Sequence, residues 1–123
     1  MIGRICAITT LLLLGAAPAF AQGECLDPIA PAAVDGNSAT KEQMEAARGD
    51  VMNFMKSSDD YQDCLDADFK QKKDKALKDK KPLDPQMAQQ VDNEISANQQ
   101  MKEKVGAEYN AAVVAYKAKH PNG

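Results

Sequence analysis

The sequence predicts an all-α protein: an antiparallel two-helix hairpin with an extended N-terminal arm stapled to it by a disulfide. Three observations predict it. Apolar or small residues recur at three-four spacing at Met44, Ala47, Val51, Phe54, Ser58, Tyr61 and Leu65, with Met55 and Phe69 widening the stripe; that is the period of one helix face. A second stripe starts at Met87 or Ala88 and continues through Val91, Ile95, Asn98, Met101, Val105, Tyr109, Ala112 and Tyr116. Between the two, Lys81-Pro82-Leu83-Asp84-Pro85 breaks one helix and starts another.

Residues 1–21 read as a secretion signal. Arg4 supplies a positive start, residues 5–15 an apolar run short for a bilayer span, and Ala19-Phe20-Ala21 a small-x-small cleavage pattern. Removing this leader takes away Arg4 and Cys6. The remaining chain is then more acidic than the full-length net charge of −3 and keeps two cysteines, Cys25 and Cys64. A periplasmic or secreted home is expected, with no stable membrane span once the leader is gone. At about 100 residues, with no tryptophan, the chain can build one small domain with a thin core.

An even pair of cysteines in an exported chain predicts a Cys25–Cys64 disulfide. Neither cysteine sits in a CxxC and no histidine is near, so zinc is not expected. Closing this loop is worth on the order of 3–4 kcal/mol in the chain-entropy model. The bond also sets a geometry. Cys64 lies about 36 Å along a helix starting at Thr40. The stretch from Cys25 to Ala39 reaches about 46 Å when extended. The arm, residues 22–39, can therefore run back along the helix. Pro28 and Pro31 favour an extended backbone, Leu26, Ile29 and Val34 offer side chains to a groove, and Asp35-Gly36-Asn37 is turn chemistry.

Helix 1 is expected over 40–80, with Thr40 and Gln43 as a capping box and Ser38 as the rival cap. Its middle is acidic (Asp59, Asp60, Asp63, Asp66, Asp68) and its end basic. The turn takes residues 81–84, helix 2 residues 85–118 and a tail residues 119–123. Asp84 followed by Pro85 is a strong helix start. A turn centred near Pro82 and Leu83 sets Leu65 near Met101, Phe69 near Ile95, Tyr61 near Val105, Phe54 near Ala112 and Val51 near Val113. The arm is then the expected third layer, and a second copy of the chain is the other way to cover the seam. Gly49 and Gly106 are either tolerated or permit a close approach of the arm.

Cys25, Pro28, Pro31, Asp35-Gly36, Ser38, Met44, Val51, Tyr61 and Cys64-Leu65 form a pattern. It resembles a group of small exported proteins of Gram-negative bacteria, especially alphaproteobacteria, whose function is unassigned. The resemblance covers residues 25–65. It implies a periplasmic home and a helical body, and it brings no activity or catalytic residue.

The residues themselves offer no catalytic set. The one histidine, His120, is a tail residue beside Pro121 that nothing in the sequence holds in place. There is no glycine-rich phosphate loop and no metal-ligand cluster, so neither an enzyme nor a cofactor is expected. Asp59, Asp60 and Asp63 on a straight helix cannot wrap a hard cation and read as a solvated acidic face.

The sharpest surface feature is Lys70, Lys72, Lys73, Lys75, Lys78, Lys80 and Lys81, diluted only by Asp74 and Asp79. It is either a solvated tip or a site for an anionic envelope surface or an acidic protein. Export, the net negative charge and the lack of arginine and interleaved aromatics in the cluster argue against nucleic acid as its partner. The expected function is a non-enzymatic periplasmic binding or scaffold protein that uses its helical surface or this tip. The alternatives are a chaperone or stress factor that holds clients on an apolar surface, with Met44, Met52, Met55, Met87 and Met101 as adaptable contacts, and an inhibitor of an envelope enzyme.

Overall fold

A computed structural model of the chain describes residues 25–122. The signal sequence read over residues 1–21 lies outside the described residues. Two helices, α1 (Lys41–Lys78) and α2 (Pro85–Lys119), form an antiparallel hairpin, and an extended arm lies against them. The described residues contain no strand.

The local chemistry explains each helix end. Thr40 caps α1: the Gln43 N–H donates to Thr40 Oγ1 at 3.2 Å, and the Thr40 N–H donates back to Gln43 Oε1 at 2.8 Å. Ser38, the rival cap, instead donates its hydroxyl to Asp35 Oδ2 at 2.9 Å. At the start of α2, Asp84 Oδ1 accepts from the Gln86 N–H at 2.9 Å, and Pro85 fills the first position, where no N–H is required.

The reversal between the helices begins earlier than Pro82. Asp79 caps α1, and Lys80 takes the left-handed conformation at φ 52°. The Lys80 N–H donates to the Leu77 carbonyl at 3.2 Å and the Lys81 N–H to the Ala76 carbonyl at 3.0 Å. This pair of bonds closes a Schellman motif, with a lysine in the position that glycine normally holds.

The early reversal shifts the helix register. Asn98 Nδ2 donates to Ser58 Oγ at 3.3 Å, Gln62 Nε2 donates to Asn98 Oδ1 at 2.8 Å, and Lys102 pairs with Asp59. Gly106 faces the Met55 methyl. The pairing is thus about one turn, ~4 residues, away from the one expected from the apolar stripes. The expected match of Leu65 with Met101 does not hold, and Met101 is 39% exposed. An apolar stripe repeats every turn, so several registers match carbon to carbon. This one also matches polar to polar.

The buried seam consists of Phe54, Ser58, Tyr61 and Leu65 from α1 and Asn98, Val105 and Ala112 from α2. Cys25 and Cys64 are bonded, with Cα atoms 5.7 Å apart, which ties the start of the arm to the middle of α1. From there the arm runs along the groove between the helices, but Leu26 and Ile29, expected to offer side chains to that groove, face outward at 83% and 92% exposed. Where Pro31–Val34 pass over Ala47, Val51, Val105 and Tyr109, the void left between them is about 10 Å³, no larger than one water needs.

At the open end of the hairpin the arm turns. Asp35 Oδ1 accepts from the Asn37 N–H at 3.0 Å and from Asn37 Nδ2 at 3.1 Å, a local turn that any Asp or Asn can make. Gly36 is different. A Cβ built there would lie 1.9 Å from the Ala112 carbonyl oxygen, so only glycine lets the turn rest on the α2 backbone. Around this contact Ala39, Met44 and Ala112 form a buried cluster, with Val34, Tyr109, Val113 and Tyr116 against it. Of the two glycines left undecided by sequence, Gly49 has open space around its Cβ position, and Gly106 would make an ordinary 3.5 Å contact with Met55. Neither position requires glycine.

Candidate functional site

The lysine-rich tip is the end of the hairpin farthest from the arm's turn. Lys70, Lys72, Lys73, Lys75 and Lys78 occupy the last turns of α1, and Lys80 and Lys81 the reversal; all seven are exposed. Their spacing wraps them around the helix. They form a positive end, not a single flank. Lys75 and Lys78 also lie in the last turn of α1, at the negative end of the helix dipole, which favours cations. Among the described residues, Lys72 alone of the seven is ion-paired, with Asp68 at 2.6 Å. An open concavity on α1 is lined by Lys70, Gln71, Asp74, Lys75, Lys78 and Asp79. Leu77, in the last turn, is 69% exposed among these lysines.

Three carboxylates of the acidic middle, Asp59, Asp60 and Asp68, are paired with the protein's own lysines. Asp60 accepts from Lys56 at 2.7 Å and Asp59 pairs with Lys102 across the hairpin. The bond to Asp60 raises the Lys56 pKa above its ordinary value, with the carboxylate's charge adding to it. Among the described residues, no three His, Cys, Asp or Glu side chains group so as to hold a metal ion.

His120 is less free than its place in the tail suggests. It caps α2, stacks on Tyr116 with ring centroids 4.2 Å apart, and sets Nδ1 3.0 Å from the Tyr116 carbonyl oxygen. It has no nucleophile beside it in these contacts and remains exposed. Tyr61 is buried under the arm. Burial first, and then the charges of Glu94 and Asp27, push its hydroxyl pKa up.

Sequence reasoning missed three features that shape the molecule. The polar trio Ser58–Asn98–Gln62 sits in the middle of the seam, with Ser58 wholly buried and Asn98 5% exposed. Its signal was present: Ser58 and Asn98 both interrupt apolar stripes, and two such interruptions are best placed face to face. Gly36 gave only a turn signal, because its packing partner lies in the other helix. Lys80 gave no signal, since nothing in its chemistry favours a positive φ.

No protein family, curated protein or solved structure matches this chain. Among the described residues, no helix is long and apolar enough to cross a membrane.

Proposed function

We propose that this is an exported, non-enzymatic binding or scaffold protein of the cell envelope that contacts an anionic surface through its lysine-rich tip. Export to the periplasm or the medium is supported by the leader-like residues 1–21 and by the disulfide that follows them, since such bonds persist in oxidising compartments. The observation that carries the binding role is the state of the lysines. Seven lysines crowd one end of a chain whose net charge is −3, and of these Lys72 alone pairs its charge with a partner among the described residues. Elsewhere Lys41, Lys56 and Lys104 are ion-paired with a carboxylate one turn on, while Lys117 and Lys119 at the end of α2 have no such pair among the described residues.

The test is retention on a phosphate-bearing matrix at neutral pH and low salt. A net acidic protein is repelled by such a matrix unless one end is locally basic. Retention is expected for the wild type and is lost in the Lys73→Gln, Lys75→Gln, Lys78→Gln, Lys81→Gln variant. Equal elution of the two proteins would end this reading.

A second reading, a chaperone or inhibitor that docks a protein, is favoured by one observation. Leu26 and Ile29 on the arm are 83% and 92% exposed. Leu26→Ser with Ile29→Ser would then abolish suppression of client aggregation, and an unchanged or absent effect in the wild type would remove this reading.

A further inference from the structure

We infer that the anionic surface is a phospholipid bilayer and that Leu77 enters it alongside the lysines. This inference rests on the binding role proposed for the tip and names its partner.

Two observations beyond the charge support it. The first is Leu77 itself. It is 69% exposed, and it follows Lys70 and Lys73 at spacings of seven and four, which places all three on one flank of the last turns of α1. Lys78, Lys80 and Lys81 close the same end. A large apolar side chain set among lysines that outnumber the nearby Asp74 and Asp79 is the arrangement of a peripheral membrane contact: the lysines meet the headgroup phosphates, their long stems reaching outward, while the apolar group passes between headgroups into the acyl boundary. A dissolved phosphate would engage the lysines and leave Leu77 in water.

The second observation is shape. The tip is the end of two helices with no third layer, and its lysines point in several directions. A folded protein partner needs a matched face of roughly 1,000 Å² or more, which a convex end of this kind does not present. A fluid bilayer needs no matched face, because its headgroups rearrange around whatever is pressed into it. No described helix can span the membrane, so the contact is interfacial and reversible. One apolar side chain and a basic cluster are each weak alone, and membrane attachment generally takes two such signals together.

The chain contains no tryptophan, so Leu77→Trp installs a single reporter at the contact. The experiment adds vesicles of equal parts phosphatidylglycerol and phosphatidylcholine to the disulfide-bonded protein at low salt. Parallel samples receive phosphatidylcholine alone or inorganic phosphate. The emission of the Leu77→Trp protein is expected to shift to the blue with the anionic vesicles only. Leu77→Gln is expected to weaken vesicle binding by about ten-fold, the loss of one partly buried leucine. The four-lysine variant described above is expected to lose it by at least about 100-fold, at roughly 1 kcal/mol per lysine. Circular dichroism should be unchanged throughout, because these side chains are exposed.

If Leu77→Gln binds as the wild type does and the emission does not move, bilayer entry is wrong while the electrostatic role of the tip stands. The same holds if the wild type ignores the vesicles yet is held by the phosphate matrix. If the four-lysine variant binds vesicles as well as the wild type, the tip is not the site, and both readings fall together.

Discussion

Asn98→Ala is the perturbation that most sharply tests how the hairpin is held in register. Asn98 joins two partners across the seam: it donates to Ser58 Oγ and accepts from Gln62. Ser58 is wholly buried, so its hydroxyl cannot turn to water when Asn98 is lost. A buried polar group left without its partner costs about 1–3 kcal/mol. Gln62 is half-buried and can reach solvent, so it adds little. The shortened side chain also leaves a small void at a position only 5% exposed. Together these put the cost at about 2–3 kcal/mol, a large share of the ~5–15 kcal/mol that holds a small domain together. The assay is urea unfolding followed by circular dichroism with the disulfide intact. Asn93→Ala, on the exposed face of α2, is the control and should cost less than about 0.5 kcal/mol. Adding Ser58→Ala to Asn98→Ala should recover part of the loss, because removing both partners is far less costly than removing one. If Asn98→Ala costs no more than the control, or if the double variant is simply additive, the trio does not set the register.

Four further outcomes follow from the backbone and the turn. Gly36→Ala should destabilise by about 3 kcal/mol or more, since the new methyl meets the Ala112 backbone and neither side can give way easily; Gly49→Ala should stabilise by about 1 kcal/mol, having open space and a better helix former, and thermal melts of the two compare them directly. Lys80→Gly should raise stability by roughly 1 kcal/mol by relieving a positive φ, with the expected rise read by the same melts. The Asp35 carboxyl is held below its ordinary value of 3.8, mainly by the Asn37 N–H and then by Ser38 and the Asn37 side chain. It therefore favours the folded state at pH values above 3.8 and loses that contribution as the pH falls through its lowered value. A melting temperature that drops over that acid range in the wild type, and less so in Asp35→Asn, is the expected profile.

Much of the architecture is legible in the chain because it is local. The Thr40–Gln43 box, the Asp84-Pro85 start and the two periodic stripes each announce themselves within a few residues. The disulfide follows from an even cysteine pair and an arm of sufficient reach. What could not be read was non-local or degenerate. The apolar stripe repeats every turn, so a seam that pairs Leu65 with Met101 matches carbon to carbon as well as the actual one does. The decision rests on Ser58 and Asn98, which must be buried together or not at all. Gly36 reads as an ordinary turn glycine because the backbone it touches lies far along the chain, at Ala112 in the second helix. Lys80 departs from local preference altogether, and the reversal it makes moves the turn away from Pro82. The lysine tip is legible as a charge cluster; the exposed Leu77 within it becomes visible only once the helices are paired and one flank is left bare.

The most direct measurement on the tip as the working end is a salt titration of binding to phosphatidylglycerol-containing vesicles, comparing the wild type with the four-lysine variant. At low salt the wild type should bind and the variant should not. The wild-type affinity should then fall steeply as salt rises toward physiological strength, where exposed charges are screened beyond about 8 Å. Wild-type binding that is absent at low salt, or that is equally strong in both proteins and indifferent to salt, would contradict the account.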